Sequence, residues 1–264
     1  MGAGAFEVLM IFFSIWQRSA PSRFLQKIAL GADPTNVGPS ANRPPACLVV
    51  SLPSMKVIII TEGAAPALFP ADAANCSVVK TINDLEGHRD ADLYIDLDFT
   101  GDGTRVSALS LLLPSPVIVS AVVPTLAEIG HPFIRINGWP GFLEREMHEL
   151  AVPDATVAEQ VRQLYERLGR SFRIAPDIPG MITARILATI INEAWYTWEE
   201  GVSSREEIDM AMKLGTNYPM GPFEWGERIG LSRICHLLMT LGEEDPRYIP
   251  AKSLKMAVSA LKCD

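Results

Sequence analysis

"MKVIIITEGAAPALFP" (Met55 to Pro70) decides how the first half of this chain folds. Val57 to Ile60 are four consecutive β-branched residues, and a run with no polar alternation suits a strand buried on both faces. The run stops at "TEG", and similar short runs follow: "SVVK", "DLYIDLDF", "PVIVSAVV" and "PFIRIN". Helix-like or turn-like stretches separate them. Thr104 to Leu113 sets Val106, Leu109, Leu112 and Leu113 on one helical face and so supplies a crossover. Strands alternating with crossovers predict an α/β domain with a doubly wound, mostly parallel sheet.

After Ala151 the period becomes helical. Thr156 and Glu159 have capping-box spacing ahead of Val161, Leu164, Tyr165 and Leu168, and Gly169 stops that helix. "SFRIA" then reads as a last strand. From Pro179 onward the pattern is helical throughout. "MITARILATIINEAWYTWEE" is apolar on nearly every face, which predicts a central buried helix. Ser204 and Glu207 form a second capping box before Ile208, Ala211, Met212 and Leu214. In "AMKLGTNYPMGPFEW" Gly215 is expected to close that helix in a left-handed conformation and Pro222 to begin the next. Two more helices are expected near Ser232 to Leu241 and Ala251 to Lys262. An all-helical domain therefore follows the α/β one.

With 264 residues, 48% of them hydrophobic, the chain can bury the cores of two modest domains. Its net charge of −8 argues against nucleic acid or an anionic membrane surface as the main partner, since both reward clustered Lys and Arg. Cys47, Cys76, Cys235 and Cys263 form no CxxC pair and have no histidine at ligand spacing, so no metal site is expected and a reducing, cytoplasmic setting is. Residues 1–54 differ from the rest. "AFEVLMIFFSIW" (Ala5 to Trp16) falls short of the roughly 20 apolar residues a membrane span needs. It contains Glu7 and has no basic residue ahead of it, unlike a secretory signal. Gly31 to Pro53 is rich in Pro, Asn, Ser and Gly. The expectation is a poorly ordered extension, with an organellar targeting segment as the alternative.

A dinucleotide site needs glycines after the first strand, so that a pyrophosphate can approach backbone N–H groups at a helix N-terminus. Set against G-x-G-x-x-G, the three glycine places fall on Thr61, Gly63 and Pro66, and only Gly63 survives. Asp84, 21 residues after Gly63, stands near where a ribose-binding acid should sit, but it can equally cap the next turn. A rival reading comes from "LYIDLDFTGDGT" (Leu93 to Thr104), where Asp96-x-Asp98-x-Thr100 resembles the nucleophile motif of haloacid-dehalogenase-type, magnesium-dependent phosphatases. Ser120 resembles that family's second motif, yet no later strand ends in the paired acids a magnesium site requires. Read as a calcium loop, the same stretch has Ser107 where the bidentate Glu belongs. Among the histidines, His88 sits in a charged turn and His236 in an apolar helix where a core role is the default. His148 neighbours Glu149 on a strand, where adjacent side chains face opposite ways.

"PGMITARILATIINEAWYTWEEGVSSREEIDMAMKLGTNYPMGPFEWGERIGL" (Pro179 to Leu231) closely resembles the C-terminal domain of the 3-hydroxyacyl-CoA dehydrogenase family. The motifs are "PG" before a buried helix, "INEA", "EEGVSS", "EIDMAMKLG" and "YPMGPFEW". The resemblance implies a Rossmann-like domain over residues 55–177 and a family-type helical domain over 178–264. It also implies NAD as cofactor, an acyl-CoA ligand and a homodimer formed through the helical domain. Family members use a histidine a few residues before a proline as general base, with a glutamate downstream orienting it. In "RINGWPGFLEREMHELA" the histidine place falls on Ile136, flanked by Arg135 and Asn137, and Glu149 fits the glutamate one residue late. The family's asparagine corresponds to Ala184, and its substrate-loop serine to Ser120. The candidate site residues are thus Glu149 and Ser120 for catalysis and Gly63 and Asp84 for the cofactor. With the base and two glycines missing, the expected function is an acyl-CoA-related binding or scaffold role. The alternatives are an active NAD-dependent oxidoreductase converting 3-hydroxyacyl-CoA to 3-oxoacyl-CoA and, remotely, a phosphatase using Asp96.

Overall fold

The computed structural model describes residues 55–69 and 74–261; the expected extension over residues 1–54 lies outside them. Among the described residues seven strands form one sheet: β1 (Met55–Ile60), β2 (Ala74–Val79), β3 (Leu93–Asp96), β4 (Val117–Ser120), β5 (Ile134–Ile136), β6 (Met147–Ala151) and β7 (Ser171–Ile174). Their order is β2-β1-β3-β4-β5-β6-β7. Every neighbouring pair is parallel except β5 with β6, where Ile136 lies opposite Leu150. The unbroken apolar runs are explained by cores on both faces. Val57, Ile59, Ile95 and Ile118 join one core, and Ile58, Ile60, Tyr94 and Val119 the other.

Helix α1 (Gly103–Ser110) carries β3 over to β4 and buries Val106 and Leu109. The short α2 (Leu126–Ile129) precedes β5, and α3 (Ala155–Arg167) lies between β6 and β7, burying Val161, Leu164 and Tyr165. The cap of α3 is Asp154, whose carboxylate accepts the N–H groups of Thr156 and Val157. This corrects the expected Thr156–Glu159 box: Asp154 takes the Thr156 N–H that Glu159 would have accepted, and Glu159 accepts from Arg162 Nε instead.

The connection from β1 to β2 departs most from a doubly wound plan. No helix forms over residues 61–69; instead Leu68 and Phe69 fold back into the core. Phe69 meets the rings of His148 and Tyr165 edge-on, and Arg170 holds the loop through Leu68 O (2.8 Å) and Ala67 O (3.1 Å). Among the described residues only β2 lies beyond β1, without the further outer strand of a full dinucleotide-binding order.

The C-terminal region is helical: α4 (Thr183–Glu199), α5 (Arg205–Thr216), α6 (Pro222–Ile229), α7 (Leu231–Glu244) and α8 (Lys252–Ala260). Along α4 no residue from Thr183 to Asn192 is exposed, as a central helix requires. The Ser204–Glu207 capping box forms at the start of α5. Gly215 does not end α5; Asn217 does, at φ 56° with its N–H on Met212 O. Asn, whose short polar side chain can hydrogen-bond locally, takes this conformation more readily than most residues other than Gly. His236 is exposed rather than buried, because the buried side of α7 runs through Cys235, Leu237 and Leu238.

The Gly-Pro stretch serves a carboxylate. Asp209, buried on α5, accepts the N–H groups of Phe223 (2.8 Å) and Glu224 (3.1 Å) and so caps α6 from another helix. A Cβ on Gly221 would lie 2.2 Å from Asp209 Cγ, so only glycine fits there. Pro222, first in α6, lacks the N–H that would otherwise need a partner.

Candidate functional site

The sheet's pleat decides which residue faces Glu149. Ile136, where the sequence comparison placed the family histidine, is 1% exposed and buried in the core beneath α3. Asn137, the next residue, donates its backbone N–H to Glu149 O (3.1 Å) and its Nδ2 to Glu149 Oε2 (3.4 Å). The position opposite Glu149 is therefore Asn137, and counting from it removes the apparent one-residue lag of the glutamate. An amide can donate and accept hydrogen bonds but takes up no proton near neutral pH.

Glu149 has a second set of partners. Its Oε1 accepts the N–H of Ile182 at 2.6 Å, and both carboxylate oxygens accept that of Thr183 at 3.2 Å. Helix α4 has no side-chain cap of its own at Ile182, so Glu149 supplies it from β6. A carboxylate at a helix N-terminus also meets the favourable end of the dipole.

Ser120 ends β4, one strand away, and pairs with Ile136. A Cβ on Gly138 would stand 2.0 Å from Ser120 Oγ, so the chain after Asn137 passes directly over this hydroxyl. Ser120, Asn137 and Glu149 thus share one end of three adjacent strands, beside the start of α4. Ala184 is fully buried there, its methyl group within the helical core.

Arg135 joins the two halves. It is fully buried, donating Nε to Ala121 O (2.8 Å) and Nη2 to Val122 O (3.0 Å), and its Nη1 pairs with Asp177 just before the helical region. Asp177 also accepts the N–H of Leu126. Burial pulls the Arg135 guanidinium below its ordinary value, with Asp177 opposing. Nothing in the sequence marks this pair, because its members lie 42 residues apart.

Gly63 and Asp84 lie elsewhere, around the ends of β1 and β2. The end of β1 faces the point where the strand order reverses, which is where a pyrophosphate would meet the sheet. Its backbone donors are taken: Glu62 N–H by Asp98 Oδ2 at 2.6 Å, Gly63 N–H by Thr61 Oγ1 at 3.2 Å. A fixed carboxylate stands where a phosphate would need donors, and no helix N-terminus follows among residues 61–69. The loop instead leaves a cleft of about 340 Å³ lined by Ile59, Pro66, Leu68, Phe69, Ala74 and Cys76, with no charged side chain among the described residues that line it. These residues do not fit the pyrophosphate of NAD. Asp84 Oδ2 accepts the Thr81 N–H (2.9 Å) and hydroxyl (3.0 Å), the capping role that was its other reading.

The phosphatase reading gains no support from the surroundings of Asp96. Asp96 is fully buried and held bidentately by Arg105 Nε and Nη2, both at 2.6 Å, as a structural ion pair. Burial pushes its carboxyl up from the ordinary range despite the guanidinium. Among the described residues no three His, Cys, Asp or Glu side chains group to hold a metal. His148 is 1% exposed, with Nδ1 near Tyr165 OH (3.1 Å) and Nε2 near Leu143 O (2.9 Å), a satisfied core histidine.

Comparison with known proteins bears on the helical half first. Residues 180–263 match the family described as 3-hydroxyacyl-CoA dehydrogenase, C-terminal domain. The chain is 41% identical over 132 residues to the 3-hydroxyadipyl-CoA dehydrogenase of Escherichia coli, covering 48% of this chain and 27% of that protein. It is 41% identical over 113 residues to the 3-hydroxybutyryl-CoA dehydrogenase of Bradyrhizobium diazoefficiens, covering 42% and 38%. The match thus spans well under two thirds of either relative. The crystal structure of an (S)-3-hydroxybutyryl-CoA dehydrogenase from Ralstonia eutropha superposes with a TM-score of 0.58 at 26% identity, over 70% of each chain.

Proposed function

We propose, on the premise that this chain belongs to the 3-hydroxyacyl-CoA dehydrogenase family through its helical half, that it binds an acyl-CoA thioester without oxidising it. The thioester would lie at the shared strand end of Ser120, Asn137 and Glu149, beside α4. The observation that carries the reading is the Asn137–Glu149 contact, which puts an amide where concerted proton removal needs a base. General base catalysis is worth roughly two to four orders of magnitude in rate, so its loss removes turnover before it removes affinity. The occupied donors at the end of β1 support the same reading.

A second reading is favoured by the relatives, which are named as dehydrogenases: an NAD-dependent oxidoreductase acting on a 3-hydroxyacyl-CoA. That name supports oxidation more directly than a scaffold role, whereas the local geometry supports binding. The two separate in one experiment. Titration calorimetry with 3-hydroxybutyryl-CoA and with NADH is expected to give heat for the thioester and none for the nucleotide. Thioester-dependent reduction of NAD would establish the second reading instead.

The division into domains at residues 55–177 and 178–264 belongs to the same proposal, as does a homodimer through the helical domain. Leu214 on α5 and Met256 on α8 are 80% and 72% exposed, apolar side chains that a partner subunit would cover. Light scattering on the eluted protein tests the dimer. No helix among the described residues is long and apolar enough to cross a membrane.

A further inference from the structure

Two arginines meet where the loop after β5 touches α6. Arg145 lies with its guanidinium carbon 4.2 Å from the Phe142 ring centre and 5.7 Å from that of Trp225. Arg228 lies 5.8 Å from the same Trp225 ring. Both also converge on Gly141. Arg145 Nε donates to Gly141 O at 3.3 Å, and a Cβ on Gly141 would stand 2.9 Å from Arg228 Nε. Gly141 has φ +88°, so the loop is shaped by a residue that both permits this backbone and leaves room for the second guanidinium.

None of the ion pairs among the described residues includes Arg145 or Arg228. Glu144, Glu146 and Glu227 flank them in sequence and are exposed. Both arginines are exposed, so water screens their mutual repulsion; Arg228 Nη1 also donates to Met220 Sδ at 3.7 Å, and the pair presents two unneutralised cations beside one indole to any anion that docks there. The loop carrying Arg145 runs on from Asn137, and the Phe142 and Trp225 rings beneath the pair belong to the same core cluster as Ala184 at the start of α4, which connects the pair to the Asn137–Glu149 site through packed side chains. Planar guanidinium forks match the two oxygens of a carboxylate or phosphate.

We propose that Arg145 and Arg228 together form an oxyanion site that receives an anionic group of a bound acyl-CoA. The ligand class rests on the function proposed above; the oxyanion chemistry does not. Two sources carry that chemistry: a carboxylate at the far end of the acyl chain, or a phosphate of the coenzyme. Either would be anchored while the thioester reaches the strand ends.

The test uses the full chain and the variants Arg145→Gln and Arg228→Gln, each first shown to unfold at the parent temperature. Calorimetry is run with butyryl-CoA, adipoyl-CoA, butyryl-pantetheine and inorganic phosphate. Each variant is expected to lose about tenfold or more in affinity for the ligand whose anion the pair holds. A loss confined to adipoyl-CoA assigns the carboxylate. A loss for both CoA thioesters, with pantetheine binding unchanged, assigns the phosphate. If the parent binds no thioester, the proposed function fails, but the oxyanion site still stands if phosphate binds the parent and not the variants. Parent and variants binding every ligand alike, or phosphate failing to bind when no thioester does, overturns the site.

Discussion

Replacing Glu149 by Ala would test whether this residue is chiefly a helix cap. The substitution leaves the N–H groups of Ile182 and Thr183 without their acceptor at the head of α4, where no residue of the helix substitutes. Hydrogen bonds to a charged group contribute about 1.5–3 kcal/mol each, and water entering the vacated space recovers part of that. The expected loss is therefore about 2–4 kcal/mol in urea unfolding. For a folded body of this size that lowers the melting temperature by about 5–15 °C. Glu149→Gln keeps an acceptor oxygen for Ile182 but drops the charge facing the helix dipole, so roughly half the loss is expected. Circular dichroism melts and urea titrations of the three proteins, at one pH and salt concentration, supply the comparison. A Glu149→Ala protein within about 0.5 kcal/mol of the parent would refute the reasoning. The role of Glu149 would then have to be sought in ligand chemistry alone.

Arg105→Met strands the Asp96 carboxylate in the core, and breaking a buried pair in this way costs about 3–5 kcal/mol. Burial already raises the folded-state pKa of Asp96, so its protonated form is the one that folding favours. The penalty in Arg105→Met should be largest at pH 8 and shrink as pH falls through that raised pKa; chemical denaturation at pH 8 and pH 5 checks it, and a pH-independent penalty would contradict it. Asp209→Ala should cost about 1–2 kcal/mol through the lost α6 cap. Gly221→Ala displaces the same carboxylate, so a double-mutant cycle should show the two changes to be strongly non-additive, and simple addition would mean that Gly221 does not act through Asp209. Gly138→Ala should destabilise by driving a methyl group into Ser120 Oγ, with partial recovery in Gly138→Ala/Ser120→Ala; a melt that shows no recovery would place the strain elsewhere.

Periodicity alone determined the two-part architecture. Unbroken β-branched runs such as Val57 to Ile60 are stable only between two covered faces, and helical spacing from Pro179 onward admits no sheet. The Ser204–Glu207 cap was legible because its partners are three residues apart. The absence of a complete glycine set after β1 was legible too, since a backbone requirement is written in residue type. Tertiary structure decided everything that depends on distant neighbours. Strand pleat, not spacing from a proline, turned Ile136 inward and set Asn137 against Glu149. Arg135 reaches Asp177 across 42 residues, Asp209 caps a helix other than its own, and Arg145 meets Arg228 over a shared ring. A one-dimensional pattern records each residue's own preference, whereas a contact between residues far apart in sequence exists only once the elements between them have packed.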